Sequence, residues 1–353
     1  MSDPQKSRRS SSAVTMHAVA RHAGVSPMSV SNVINGRRVL PKTREAVLKA
    51  IADLDYTPNA AARALASAAP VRIGLVYNHP ESAFVSALLV GALDAATRFG
   101  AQLLIRRIED SSDAGLSDAL SAMVEGGANA LLLPAPYCEA ASRSGLVDHL
   151  NVPLIALSSG SELPDMSSVR IDDVAAAREM TRYLIGLGHR RIGFVRGAKS
   201  HLISRTRYQG YCEALEEHGI ALEPGLVSDG DLTFDSGLHA AETLLASPIP
   251  PSAIFASNDD MAAAVISVAL RRNIAVPDQL SVAGFDDSPI SRTIWPALTT
   301  IRQPIVEMTA IALETLIEAI GNPPERPEPA TRYVDFSLVI RGSTAHFASG
   351  ATE

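Results

Sequence analysis

The chain, 353 residues long, predicts a small all-α head followed by a long α/β body. Three observations predict this division. Residues 13–57 carry three short segments of helical apolar period. From Val71 onwards short apolar runs alternate with helix-length segments. Charge divides at the same place: the first 69 residues hold ten Lys/Arg against four Asp/Glu, a formal +6, and the rest holds 21 against 34, or −13, for −7 overall. A basic head on an acidic body focuses phosphate attraction on one module.

Within the head, Thr15 is placed to cap a first helix with apolar Met16, Val19, Ala20 and Ala23. Gly24 supplies the turn. Ser26 caps a second helix, and Pro27 takes its first position, where a missing N–H costs nothing. That helix buries Val30, Val33 and Ile34 and turns Met28, Ser29, Ser31 and Asn32 outward. Two short helices around a Gly-containing turn make a helix-turn-helix, whose second helix enters the DNA major groove N-terminus first. A third helix starts near Pro41, with a core stripe of Val47, Ile51 and Leu54 flanked by Leu48 and Ala50, and Pro58 stops it. The next segment separates this pattern from an ordinary three-helix scaffold. Residues 59–67 are Ala-rich and can form one more short helix, too short to stand alone in water. It needs a partner or DNA to fold.

The residues Val14-Thr15, Val19-Ala20, Ala23-Gly24-Val25-Ser26, Val30-Ser31, Ile34-Asn35-Gly36, Thr43-Arg44, Leu54, Tyr56 and Pro58-Asn59, with Ala62, Arg63 and Leu65, carry a dense resemblance. The head resembles the lactose-repressor (LacI/GalR) family of bacterial transcription regulators. The resemblance implies a homodimer on a pseudo-palindromic operator in double-stranded DNA. It places the paired hinge helices, with Asn59, Ala62 and Arg63, in the minor groove and wedges Leu65 into a base step. It also puts Pro27, Met28 and Asn32 at the specificity positions of the second helix. Asn32 replaces the family's common Arg, and Asn prefers adenine when bidentate. Met28 offers an apolar surface to a thymine methyl. Arg37 and Arg38, in a turn one residue shorter than in the family's namesake, are candidates for phosphate contacts. Thr15, Ser26, Ser29, Ser31 and Asn35 complete the expected DNA-binding set.

The body alternates strands and helices. Strands are expected at 71–77, 102–108, 130–133, 154–157, 191–195, 253–256 and 281–283. Helices are expected at 84–99, 174–187, 205–218, 236–246 and 259–272. Such alternation means parallel sheets covered by helices, with ligands beyond the C-terminal ends of the strands. The family resemblance runs to about residue 343. It implies two α/β lobes like type I periplasmic sugar-binding proteins, joined by crossings near Ile171, Arg302 and Arg332. The expected organisation is a disordered basic tail over 1–12, the helix-turn-helix domain over 13–57 and a hinge helix and linker over 58–70. A first lobe from 71–171 and 303–331, a second from 172–302 and 332–343, and a tail over 344–353 complete it.

Several residues fall where they would line a cleft between the lobes. Arg207 opens a helix, and a guanidinium can grip two ligand oxygens. Asn258 and Asp259 follow one strand, Asp286 and Asp287 another, and Gln303 comes shortly after. By motif position the resemblance gives Arg207, Asn258, Asp286 and Gln303 as effector contacts, with Asp287 the structural member of its pair. A cationic fork, a carboxylate and amides suit a polyhydroxylated ligand, whose hydroxyls donate and accept. Phe84 can stack on an apolar ligand face or pack in the core. Pro134 and Ser158 stand where the namesake has polar sugar contacts, and Leu232 stands where an aromatic often stacks. The generic chemistry is kept and the particular sugar is not.

Other classes fit less well. No Gly-x-Ser-x-Gly elbow, Walker loop, dinucleotide fingerprint or zinc-spaced Cys/His set occurs. No catalytic residue, metal or cofactor is therefore expected, and His189 reads as structural. Two cysteines, Cys138 and Cys212, make no disulfide framework and suit a reducing compartment. No apolar run reaches about 20 residues, and the N-terminus lacks a signal-type segment. A transport-type binding protein would need no DNA head. The expectation is a cytoplasmic, dimeric repressor of carbohydrate-utilisation genes, released by a sugar-type effector. A regulator that needs a purine or other metabolite as corepressor is the alternative.

Overall fold

Two six-stranded sheets organise the body, and among the described residues three helices form a separate head. The structure, a computed structural model, describes residues 16–34, 39–54, 70–79, 81–321 and 328–347. The head lies within Met1–Pro70 and the body within Val71–Glu353.

In the head, α1 (Met16–Ala23), α2 (Pro27–Ile34) and α3 (Pro41–Asp53) close around Val19, Ala20, Val30, Val33, Val47 and Ala50. Gly24 ends α1 at φ 66°. Its amide bonds Arg21 O at 3.3 Å while Val25 bonds Ala20 O at 3.0 Å, the paired closure that a left-handed glycine permits. His22 and Asp53, 3.3 Å apart, link α1 to α3. One expectation needs correction. Ala50 is the buried partner of Val47, whereas Leu48 is 54% exposed and Ile51 and Leu54 only half-buried. Three helices this short enclose a core too small for the full stripe. Thr15, Asn35, Arg37, Arg38, Asn59, Ala62, Arg63 and Leu65 lie outside the described residues, as does the side chain of Ser31.

The first sheet has the order β11-β5-β4-β3-β1-β2, from β1 (Arg72–Tyr77), β2 (Gln102–Arg107), β3 (Ala130–Pro134), β4 (Leu154–Leu157), β5 (Ser167–Arg170) and β11 (Thr331–Tyr333). The second has the order β12-β10-β9-β8-β6-β7, from β6 (Ile192–Arg196), β7 (Val227–Asp229), β8 (Ala253–Ala256), β9 (Ser281–Asp286), β10 (Thr299–Arg302) and β12 (Ser337–Val339). All pairings are parallel except that of β10 with β12. β3 and β8 are buried along their whole length, as central strands covered on both faces must be.

On the first sheet α4 (Ala83–Phe99) packs against α12 (Ile305–Gly321), with α5 (Asp113–Glu125) and α6 (Tyr137–Arg143) covering other positions. On the second, α7 (Asp173–Gly186) packs against α8 (Leu202–Glu217), and α9 (Phe234–Leu245) against α10 (Asp259–Arg271). The short α11 (Ile290–Thr293) follows β9. One buried cluster contains Leu75 and Leu88 of the first lobe together with Phe194 and Phe255 of the second. Ile171 and Ile301, beside two of the crossings, belong to it.

The chain crosses between lobes after β5, after β10 and after β11. The third crossing, expected near Arg332, follows Val334. Arg332 and Tyr333 pair with Val169 and Arg170, and Val334 still donates to Arg170 O at 2.9 Å. The ladder on β5 therefore continues past the expected boundary. The expected tail also begins too early. Ala345 donates to Ser281 Oγ at 3.0 Å, Phe347 donates to Leu187 O at 2.8 Å, and the Phe347 ring lies 5.6 Å from that of His189. Buried His189 also bonds Ser252 Oγ at 2.9 Å. Burial lowers its pKa, so it acts as a neutral clasp for the C-terminal segment.

Candidate functional site

On the head, α2 presents its first turn outward. Ser26 Oγ accepts from the Ser29 amide at 3.2 Å and lies 3.0 Å from Ser29 Oγ. The cap thus satisfies one of the donors that a helix start leaves free. Ser26, Pro27 and Met28 are exposed, Met28 by 67%, while Val30 and Val33 are buried beneath them. Ser29 and Asn32 are half-buried, so the outward face is narrower than the sequence suggested. An exposed thioether beside a capped N-terminus suits a groove containing methyl groups and phosphates.

In the body, the C-terminal ends of the second sheet collect the charged residues. Arg207 was expected to open its helix, but α8 begins at Leu202 and Arg207 sits a turn further in, 3% exposed. Its Nε donates to Asp173 Oδ1 at 2.8 Å and its Nη1 to Ser257 O at 2.7 Å. Nη1 also lies 3.7 Å from Asp286 Oδ1, and the guanidinium carbon lies 3.7 Å over the Phe285 ring. The side chain is largely committed within its own lobe.

Asp286 ends β9 with φ 115°. Its Oδ1 accepts from Gln303 Nε2 at 2.6 Å. Burial pushes its carboxyl up to about 6, while Arg207 and Gln303 oppose the rise and Asp260 and Asp173 add to it. Asp259 is buried deeper. It accepts from Thr300 Oγ1 at 2.6 Å and the Ser288 amide at 2.7 Å, and burial, then Asp286, raise its pKa well above its ordinary value. Asp287 is structural. It holds Arg302 at 2.7 Å, and also Arg341 and Ser291.

Asn258 caps α10, accepting from the Met261 amide at 3.0 Å, and donates through Nδ2 to Leu232 O at 2.8 Å. It fixes Leu232, whose backbone has φ 74°. A Cβ on Gly197 would meet Leu232 Cδ2 at 2.5 Å and Ser204 Oγ at 2.5 Å, so glycine lets these two side chains close over the strand end.

From the first lobe, Pro134 and Ser158 stand at the ends of the adjacent strands β3 and β4. Ser158 is buried with φ 56°. The hydroxyls of Ser158, Ser159 and Ser204 are buried without a hydrogen-bond partner among the described residues. Gly160 follows, and here the lobes touch: a Cβ at Gly160 would lie 2.6 Å from Leu202 Cγ and 2.7 Å from Ile203 N. Glu139 Oε1 accepts the Gly160 amide at 2.8 Å, and Arg170 Nη2 donates to Gly160 O at 3.1 Å. Phe84 instead packs, half-buried, against the main core.

The structure thus links Arg207, Asp286 and Gln303 directly, and Asn258 to Leu232. Sequence reasoning missed Asp173, Glu139, Gly160 and Ser204. An Asp pair at a helix start reads as capping, and Asp172 does cap α7, accepting from Ala175 at 2.9 Å. Nothing in that reading points to the charge pair beside it.

Two family profiles match the chain. Residues 15–59 match bacterial regulatory proteins of the lacI family, and residues 181–344 match a periplasmic binding protein-like domain. Catabolite control protein A of Priestia megaterium is 34% identical over 312 residues, covering 86% of this chain and 91% of that protein. The chain belongs to the LacI family. The HTH-type regulator GalS of Salmonella typhimurium is 35% identical over 310 residues, covering 86% of this chain and 89% of GalS. The HTH-type transcriptional repressor PurR of Erwinia tasmaniensis is 32% identical over 333 residues, covering 94% of this chain and 97% of PurR. Among solved structures, a lac repressor dimer bound to operator and the anti-inducer ONPF has a TM-score of 0.70 at 26% identity, covering 95% of this chain and all of that one. A CelR–cellobiose complex has a TM-score of 0.67 at 29% identity, covering 94% and 99%. As a member of the LacI family the chain is a DNA-binding transcriptional regulator and not an enzyme. Among the described residues no helix is long and apolar enough to cross a membrane.

Proposed function

We propose that this LacI-family regulator is a cytoplasmic repressor of carbohydrate-utilisation genes. A homodimer binds a pseudo-palindromic operator through α2 of each subunit and is released by a small sugar-type effector between the lobes. One observation carries the effector reading. Gln303, the first residue of the second crossing, donates to Asp286 at 2.6 Å, and Asp286 faces Arg207 at 3.7 Å. A ligand hydroxyl that competes for Asp286 acts directly on a segment about which the lobes turn. It shifts the equilibrium by its differential affinity for the two arrangements and by no more. The cellobiose complex of the similar CelR supports a sugar as ligand class.

The likeness to PurR supports a second reading, in which a purine tightens DNA binding. Both are tested on duplexes selected by the full-length protein from a random library. Anisotropy at stepped salt is measured with galactose, ribose, cellobiose, guanine or hypoxanthine present. A sugar that weakens binding at least about tenfold, a typical allosteric coupling, supports the repressor released by sugar. A purine that strengthens binding while every sugar is silent replaces it.

A further inference from the structure

Asp173 changes what Arg207 can offer a ligand. It is the first residue of α7, directly after the first crossing, and is 1% exposed. Because Asp172 supplies the helix cap, the Asp173 carboxylate is free to pair with Arg207 Nε. With Nη1 on Ser257 O, Nη2 is the guanidinium nitrogen left without a protein acceptor among the described residues. A bidentate grip on a ligand anion is therefore largely pre-empted from within the protein.

The surrounding charges point the same way. Asp286 faces Arg207, and Asp260 is near enough to raise Asp286. Arg170 is the second buried guanidinium, directed to the carbonyls of Gly160 at 3.1 Å and Ile171 at 3.3 Å. Four carboxyl groups, Asp173, Asp259, Asp260 and Asp286, thus stand against two guanidiniums. His201, before α8, is driven towards its neutral form by burial, with Glu139 opposing. A phosphate or carboxylate entering here meets a guanidinium already held by Asp173 and the buried Asp286 carboxyl 3.7 Å from it. A neutral polyol donates to Asp286 and accepts from Nη2. The hydroxyls of Ser158 and Ser204, buried without a hydrogen-bond partner among the described residues, both donate and accept.

We propose that Asp173 is a specificity-determining residue: by holding Arg207 it makes the cleft select uncharged polyhydroxylated ligands over their phosphorylated or carboxylated counterparts. This rests on the reading of the cleft as the effector site. Selection of this kind is a difference of two affinities, achieved by a repulsive element as much as by an attractive one.

Calorimetry on the full-length protein with matched pairs tests it: galactose against galacturonate, ribose against ribose 5-phosphate, and cellobiose against its 6-phosphate. In the pair that binds, the neutral member is expected to bind at least about tenfold tighter, since a like charge nearby acts on that scale. Asp173→Asn keeps the shape, releases the Arg207 charge, and is expected to shrink that ratio about tenfold. A purely structural role would weaken both members equally, and that result overturns the proposal. So does an anion that binds wild type as tightly as its neutral partner. Should Asp173→Asn fail to fold by circular dichroism, the wild-type ratio decides. If no member of any pair binds wild type, the cleft reading fails and this proposal with it; anion preference sinks the charge selection alone.

Discussion

Gln303 donates its side-chain amide to Asp286 at 2.6 Å, joining the residue at which the chain leaves the second lobe to the carboxylate that faces Arg207. Only Pro304 separates Gln303 from the start of α12 at Ile305, and α12 packs on α4 of the first lobe. A ligand that alters the partners of Asp286 therefore acts within a few bonds of the element that must reorient.

Gln303→Ala is expected to raise the effector concentration needed for DNA release by about tenfold or more, because a hydrogen bond to a charged group is worth about 1.5–3 kcal/mol. Operator affinity without ligand should stay near wild type. Anisotropy titrations of DNA and of effector separate the two quantities. Equal losses in both would place Gln303 in the scaffold and not in the coupling.

The fold was legible where apolar runs exceed what a surface strand can carry. Ala130–Pro134 is buried at every position, and its run of leucines announces a central parallel strand. Ser167–Arg170, Val227–Asp229 and Thr331–Tyr333 escaped notice because they are short and polar. Two of them are edge strands, and β5 has an edge strand as neighbour, so their partners and not their own composition make them strands. In the cleft, Asp286 could be placed because it sits at the end of a strand, and Arg207 by its motif position in the family. Gly160 could not: a loop glycine carries no mark of the opposite lobe, and only the assembled body brings Leu202 against it.

That contact makes Gly160 a test of lobe closure. A side chain there meets Leu202 Cγ at 2.6 Å and the Ile203 backbone at 2.7 Å, and backbone cannot swing aside as a side-chain tip can. Gly160→Val should hold the lobes apart and remove the ligand response. The expected cost in stability is about 1–3 kcal/mol, typical of overpacking. Small-angle scattering of wild type and variant checks the first claim, and denaturant unfolding the second. An unchanged radius of gyration with a full ligand response would show that the lobes function without this contact.

Asp286 also gives stability a pH dependence. Its carboxyl, ordinarily at 3.8, is raised to about 6 by burial, against the pull of Arg207 and Gln303. The folded chain therefore binds this proton more tightly than the unfolded chain. The resulting stabilisation is complete below about 3.8 and is lost as pH rises through about 6, about 3 kcal/mol in all. Asp287 acts in the opposite sense. Burial would raise it, but hydrogen bonds from Arg341, Arg302 and Ser291 hold it below its ordinary value, so its contribution fades only in more acidic solution. Asp286→Asn removes the first effect. Its Tm relative to wild type should be higher at pH 7.5 than at pH 5, and a pH-independent difference would contradict the assignment.

Ser26 offers a way to separate helix stability from DNA contact. Its hydroxyl accepts from the Ser29 amide at 3.2 Å, and removing such a cap costs about 1 kcal/mol. Ser26→Ala should therefore lower amide-exchange protection in α2 and weaken DNA binding together. Ser26→Asp keeps a capping oxygen and gains a favourable interaction with the helix dipole, so protection should be retained or increased. The same carboxylate would face phosphate, so DNA affinity should still fall, and fall most at low salt, where screening is weakest. Hydrogen exchange on the free protein and anisotropy at stepped salt read the two effects independently. If Ser26→Asp binds DNA as wild type does at low salt, the start of α2 does not approach the phosphate backbone, and the docking of α2 by its N-terminus is wrong.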